Sequence, residues 1–184
     1  MLPTIETARL VLRAPAETDA DLLVELDSDP DVMHFINGGR PTPREEIVGD
    51  VLPAFLRYAA APTGYGFWMA EAESGFIGWF HLRPNRDRPD EGPELGYRLV
   101  KAAWGRGYAV EGSRALIDYA FAELGADRVY AHTMAVHTGS RRVMEKAGLR
   151  YVRTFFEEWP DHIEGDEHGD VEYALDRSDW LSRD

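Results

Sequence analysis

The chain has no cysteine among its 184 residues, which removes at once a disulfide framework, a thiolate metal site and a cysteine nucleophile. Long apolar runs are missing too. No segment approaches the roughly eighteen uninterrupted apolar residues that cross a bilayer, and the opening Met1-Leu2-Pro3-Thr4-Ile5-Glu6 has no basic stretch followed by an apolar one. The expectation is a protein neither secreted nor membrane-spanning, and a cytoplasmic location, which the absence of cysteine fits. Positive charge is scarce: 20 Lys and Arg stand against 33 Asp and Glu, a formal net charge of −13. That field repels phosphate backbones and anionic bilayers, so neither nucleic acid nor membrane is expected as a partner. It attracts a cationic amine or a basic peptide tail, although a solubilising surface explains the same charge.

What is present is ample core material: 44% apolar residues, with five Trp, eight Tyr and eight Phe. One domain over residues 1–184 is expected. Thr7 to Arg13 alternates polar and apolar positions up to Pro15 and reads as the first strand. Thr18 or Asp19 caps a helix bearing Leu22, Leu23 and Leu26, and Asp29-Pro30-Asp31 opens a second helix through Phe35. Ile47, Val51, Phe55 and Tyr58 recur at helical spacing between Pro43 and Ala61, with Pro53 as a kink. Gly66 to Glu71 and Phe76 to Leu82 form a hairpin across Glu73-Ser74-Gly75, followed by a polar loop from Arg83 to Gly92. Glu94 to Val100 is a strand. A helix containing Val110, Leu116, Ile117, Ala120 and Phe121 follows, then a strand at Arg128 to Met134, a helix at Ser140 to Ala147, and strands near Leu149 to Phe156 and Asp170 to Leu175. The order is that of a mixed α/β sheet of about six or seven strands with flanking helices. Trp159 to Gly169 is an acidic loop; its His162 and His168 match no common ligand spacing, so no metal is expected.

The feature with chemical content is a strand, a Gly-containing turn and a helix in succession from Glu94 to Phe121. A helix begins with unpaired N–H groups and a partial positive charge, and glycine lets that backbone approach an anion. Trp104-Gly105-Arg106-Gly107-Tyr108-Ala109 therefore reads as an anion-binding turn, with Lys101 and Arg106 adding charge beside it. The P-loop pattern is absent, and so is the third glycine of a dinucleotide fingerprint.

In this company the chain resembles the GCN5-related N-acetyltransferases (GNAT), and within them the Rim-type branch that includes ribosomal-protein N-terminal acetyltransferases. The resemblance rests on Thr7 to Arg13, Gly75-Phe76-Ile77-Gly78, Glu94-Leu95-Gly96-Tyr97-Arg98-Leu99, Trp104 to Gly112, Ser140 to Leu149, and the ending Glu172-Tyr173-Ala174-Leu175 before Asp179-Trp180. It implies a sheet that splays at its centre, with backbone groups of Leu99 and Val100 offered to the pantetheine arm of acetyl-CoA. It also implies that Gly105, Arg106, Gly107, Tyr108 and Ala109 hold the coenzyme's pyrophosphate. Trp104 stands where the family pattern has Gln or Arg, a departure common in this branch.

By the same resemblance the expected reaction is transfer of an acetyl group from acetyl-CoA to a primary amine, on a protein N-terminus or a small molecule, by direct attack on the thioester. Such attack needs a neutral nitrogen, a polarised carbonyl and a proton for the departing thiolate. Glu94 is the candidate base, alone or through water. A backbone N–H near Leu99 or Val100 is the candidate partner of the carbonyl oxygen. Many relatives place a tyrosine acid where this chain has Met144, so Ser140, directly or through water, takes that role. His137 replaces an asparagine that holds the pantetheine arm. Phe35, Trp68, Trp79 and Tyr97 shape an amine pocket or simply pack. Relatives often form homodimers, so self-association is expected. The alternative reading is a non-catalytic acyl-CoA sensor or scaffold, suggested by Met144 and His137.

Overall fold

The structure is a computed structural model and describes residues 2–85, 91–158 and 162–183. Its strands are β1 (Ile5–Glu6), β2 (Val11–Arg13), β3 (Gly66–Ala72), β4 (Gly75–Pro84), β5 (Pro93–Leu99), β6 (Arg128–Met134), β7 (Arg150–Phe155) and β8 (Asp170–Asp176). They form one sheet in the order β1-β2-β3-β4-β5-β6-β8-β7. Eight strands replace the expected six or seven: β1 lies ahead of the strand expected at Thr7 to Arg13, of which only Val11–Arg13 is extended as β2. Thr7 Oγ1 accepts the Leu10 amide at 2.9 Å, and the Thr7 amide donates to the Leu10 carbonyl at 2.9 Å. A threonine side chain thus closes a turn inside an alternating pattern and folds β1 back on β2.

The helices are α1 (Ala20–Ser28), α2 (Pro30–Asn37), α3 (Arg44–Glu46), α4 (Leu52–Ala60), α5 (Tyr108–Ala122), α6 (Thr138–Ala147) and α7 (Arg177–Leu181). Asp29 caps α2 by accepting the Asp31 amide, with Pro30 at the first helical position. Between α3 and α4 lies one wide turn, Ile47–Val51, in which the Leu52 amide reaches back five residues to the Ile47 carbonyl. Pro53 follows immediately and has no N–H to give. The expected kink is therefore a widened turn within a continuous coil. Parts of the expected loops at 83–92 and 159–169 lie outside the described residues; within them, Arg83 and Pro84 extend β4, and Asp166–His168 makes a single tight turn.

The sheet separates two cores. Leu12, Phe80, Leu82 and Val129 of one face pack against Leu116, Phe121 and Met144 of α5 and α6. On the other face, Phe67, Met69 and Trp79 meet Leu23, Leu26, Ile47 and Phe55 of the early helices. Asp19, 3% exposed, lies at the edge of the second layer. It takes two 2.8 Å hydrogen bonds from Arg13 and a 2.7 Å bond from the Ala16 amide. Burial pushes its pKa up, but the Arg13 and Ala16 donors outweigh that and hold it below the ordinary 3.8. A carboxylate with a depressed folded pKa stabilises the fold above its unfolded pKa and loses that contribution as pH falls through the folded one. Asp19→Ala should lower the unfolding free energy in urea by about 3 kcal/mol at pH 7, and should flatten the loss of wild-type stability on acidification below the usual carboxylate range.

Candidate active site

β5 runs parallel to β6, yet the two share one paired position, Glu94↔Tyr130. Beyond it each strand follows a different partner: β5 stays on β4 as far as Gly78↔Leu99, and β6 stays on β8 as far as Met134↔Asp170. A cleft opens between them. The Val100 amide donates to the Ile77 carbonyl at 2.9 Å and so faces β4. Backbone groups alternate along a strand, so Tyr97 and Leu99 present theirs to the cleft. The Leu99 carbonyl is taken by the Trp104 indole at 2.9 Å, which leaves the Leu99 N–H. Of the two predicted backbone donors, Leu99 is free to serve the cleft and Val100 is committed elsewhere.

From the tip of β5 the chain makes a tight turn at Lys101–Ala103 and reaches Gly105 (φ +71°) and Gly107 (φ +83°), after which α5 begins at Tyr108. Both glycines occupy the left-handed region that side-chain-bearing residues avoid. The first-turn amides of α5, which have no partner within the helix, follow directly, and a Cβ on Gly105 would meet nothing within 4 Å. Lys101 does not add free charge there, because its ammonium is paired with Asp31 of α2, which also raises its pKa. Arg9 also lies beside the turn, and it too is paired, with Glu111 of α5. Glu111 of α5 accepts Thr7 Oγ1 at 2.7 Å, the Arg9 amide at 2.8 Å and Arg9 Nε at 2.7 Å, while Arg9 Nη1 donates to the Arg106 carbonyl at 2.9 Å. The guanidinium also lies 4.7 Å from the Tyr108 ring centre. The first turn of the chain therefore clasps the Gly-rich turn across a separation of about a hundred residues, with no local signal in either segment.

The two faces of the cleft differ in chemistry. On the face covered by α1 and α2, three cross-strand pairs of β4 and β5 stand side by side: Trp79↔Arg98, His81↔Gly96 and Arg83↔Glu94. Arg98 Nη1 reaches both carboxylate oxygens of the buried Asp27 at 2.7 Å and lies 5.1 Å from the Trp79 ring centre. Arg83 Nη2 donates to Glu94 Oε2 at 2.8 Å. These residues line a cavity of about 740 Å³ together with Phe35, Glu157 and Asp170, and it continues through the cleft to Tyr97, Ser140 and Met144 on the other face; its size suits a small molecule. The predicted Glu94 is thus in the cavity wall, half-buried and anchored.

On the α5–α6 face, Ser140 lies in the first turn of α6, 8% exposed, with its Oγ 2.9 Å from the Tyr97 hydroxyl. Burial holds the Tyr97 phenol well above its ordinary 10, against a smaller opposing effect of the Ser140 hydrogen bond. Met144 is packed beside them in the core. β5 thus brings a phenol to the first turn of α6. The sequence marks Tyr97 only as an aromatic that shapes an amine pocket or packs; its pairing with Ser140 exists only in the fold.

His137 caps α6: its Nδ1 accepts the Ser140 amide at 3.4 Å. Its ring stacks on Phe35 of α2 at 4.0 Å. Burial, helped by His34, lowers its pKa to about 4. In the acidic segment near the C-terminal strands, His162 pairs with Asp166 at 2.8 Å. Among the described residues no group of three His, Cys, Asp or Glu is arranged to hold a metal, and no helix is long and apolar enough to cross a membrane.

A parted sheet, a helix amino terminus aimed past its tip and a walled cavity beside a carboxylate define an acyl-coenzyme A N-acyltransferase. A family model described as an acetyltransferase (GNAT) domain matches residues 9–150. The chain belongs to the GNAT acetyltransferases, enzymes that use acetyl-CoA as cosubstrate, and is an acetyl-CoA-dependent N-acetyltransferase. It is similar to an FsC-acetyl coenzyme A-N(2)-transacetylase of Aspergillus fumigatus, 37% identical over 97% of this chain and 78% of that one. Among solved structures, a spermidine N-acetyltransferase from Vibrio cholerae in complex with CoA and spermine shares the fold, with a TM-score of 0.76, 17% identity, and coverage of 96% of this chain and 100% of that one. The ribosomal L7/L12 alpha-N-protein acetyltransferase RimL in complex with coenzyme A does so too, with a TM-score of 0.76, 18% identity, and coverage of 95% and 98%.

The pH behaviour of His137 gives a test of its setting. The folded protein keeps the ring neutral down to about 4, whereas an unfolded histidine protonates near 6.5. The unfolded state therefore binds more protons in that window, and stability falls as pH drops from 6.5 towards 4. His137→Asn keeps an acceptor for the Ser140 amide and removes the titration. Urea midpoints at pH 7 and pH 4.5 should lie closer together in this variant than in the wild type.

Proposed function

We propose that the 184 residues act as one acetyltransferase domain that joins acetyl-CoA and a primary amine on opposite faces of the parted sheet, the amine attacking the thioester directly. The observation that carries this reading is the single shared position of β5 and β6 at Glu94↔Tyr130. It leaves an opening through the sheet, flanked by unlike chemistries.

In this reading the backbone of Gly105, Arg106, Gly107, Tyr108 and Ala109 holds the pyrophosphate, and Arg9 fixes that turn through the Arg106 carbonyl. The Leu99 N–H polarises the thioester carbonyl. His137, next to the cleft, contacts the pantetheine arm. The acceptor occupies the cavity beneath α1 and α2, where Glu94 draws off the amine's proton. Ser140 gives a hydrogen bond to the departing sulfur, held in place by Tyr97.

Relative acidities define that last role. A thiol ionises near 8.5 and a free tyrosine near 10, so full transfer from tyrosine to thiolate is uphill by about 2 kcal/mol before burial is counted. Burial raises the Tyr97 phenol further. Tyr97 keeps its proton and orients Ser140; the thiolate is stabilised rather than protonated by this pair.

A small-molecule amine is the favoured acceptor. The aromatic residues in the cavity wall support it, as does similarity over 97% of the chain to an N(2)-transacetylase. The acidic composition, at −13, argues against a nucleic-acid partner; homodimer formation belongs to the same proposal on the strength of the resemblance alone.

Gly107→Val should abolish acetyl-CoA binding in calorimetry, and unchanged affinity would remove the turn from the site. Glu94→Gln should lower kcat about 100-fold with the acetyl-CoA dissociation constant near the wild-type value. The acceptor class is to be read from coenzyme release across N-terminal peptides, polyamines and amino sugars. Silence of the wild-type enzyme over a broad amine panel would overturn the small-molecule assignment.

A further inference from the structure

Five buried side-chain polar atoms lack a hydrogen-bond partner among the described residues, and four of them lie on the acceptor face: both ring nitrogens of His81, Nε of Arg83 and Nε of Arg98. His81 stands out because its whole polar capacity is unused. The residue is 7% exposed, lies between Phe67 and Trp79, and contributes to the cavity wall. A phenylalanine or leucine would fill this space with no polar group to satisfy. Each orphaned buried donor or acceptor costs about 1–3 kcal/mol, so the imidazole is retained against a stability penalty.

Its placement suggests why. His81 is opposite Gly96, and a Cβ on Gly96 would lie only 2.6 Å from His81 Nε2. The ring occupies the space a side chain on β5 would otherwise fill. Because β5 is the strand that parts from β6, a histidine rooted on β4 is carried to the margin of the cleft. Glu94, two residues before Gly96 on the same face, brings Oε2 to 3.9 Å from His81 Nε2. That is about an ångström beyond a hydrogen bond, a gap that catalytic pairs commonly close when substrate is present.

We propose that His81 is a catalytic residue for acetyl transfer: it accepts the proton of the attacking amine on one ring nitrogen and passes the proton of the other to Glu94. The proposal rests on the reading of Glu94 as the final acceptor. The amine lone pair forms the C–N bond as the thioester C–S pair leaves with sulfur. The nitrogen, made more acidic by bond formation, releases its proton to the imidazole. The opposite ring nitrogen gives its own to Glu94, which later returns it to water. His81 ends neutral, with its tautomer exchanged.

Electrostatics favour transit over storage. Burial, and then the flanking charges of Arg83 and Arg98, keep the His81 pKa well below 6.5. Glu94 is the facing carboxylate, and Phe67 and Trp79 complete the surroundings without charge. An imidazolium does not persist here, whereas exchange of one proton for another leaves no net charge on the ring.

The test uses acetyl-CoA and whichever panel amine the wild-type enzyme acetylates fastest. His81→Ala should lower kcat about 100-fold, with the calorimetric dissociation constant for acetyl-CoA within twofold of wild type. Added imidazole should restore much of the rate; pyrrole, of similar shape but without a basic nitrogen, should not. Gly96→Ala should mimic the loss while His81 is present and add little in the His81→Ala background. Activity of His81→Ala within threefold of wild type, or equal rescue by pyrrole, overturns the proposal. Full activity of Glu94→Gln with His81→Ala impaired sinks the Glu94 assignment and the hand-over to it, whereas the reverse pattern removes His81 alone.

Discussion

The single β5–β6 pairing at Glu94↔Tyr130 is the constraint on which the rest of this molecule depends. A continuous parallel pair would satisfy the backbone of both strands along their length. Here β4 and β8 draw the two strands apart, and the amide of Leu99 is left facing a cleft instead of a neighbour. The helices on both faces follow from the same parting. α5 and α6 cover the arms on one face, and α2 spans the mouth on the other, with Phe35 stacked on His137 of the opposite arm.

Charge is organised at two scales. Over the whole chain the balance is acidic, but the buried Asp19, Asp27 and Glu172 are each matched by arginine: Asp19 by Arg13, Asp27 by Arg98, and Glu172 by Arg128 and Arg153. Removing ions from water offsets much of the attraction within such pairs, so their chief effect is on geometry. Asp27 holds Arg98, and Arg98 covers Trp79; the floor of the cavity is built on that chain of contacts. At the Gly-rich turn the first-turn backbone dipoles of α5 present partial positive charge on an otherwise acidic protein.

Much of the fold is legible in the sequence because periodicity and end signals are local. The β3–β4 hairpin, α5, α6 and both C-terminal strands lie close to where their patterns put them. The misreadings have local causes of another kind. A side chain, Thr7, made a turn within an alternating run, and Pro53 widened a turn instead of bending the helix. At the site, the Gly-rich turn, Glu94 and Ser140 are visible because they belong to contiguous motifs. Arg9 with Glu111, His81 over Gly96, and Tyr97 against Ser140 are not, since each exists only after strands are registered or helices packed. Met144 looks like a lost acid in the sequence; beside Tyr97 it reads as core packing that leaves room for a hydroxyl from elsewhere.

The ladder formed by Trp79, His81, Arg83, Glu94, Gly96 and Arg98 has a consequence for how such a protein diversifies. Its side chains look toward α1 and α2, while alternate backbone groups of the same β5 strand look into the cleft. Changes in the early helices can therefore reshape the cavity wall without disturbing the main-chain groups that face the cleft. One strand shapes the site through two parts of its covalent structure, and only one of those parts is encoded by residue identity.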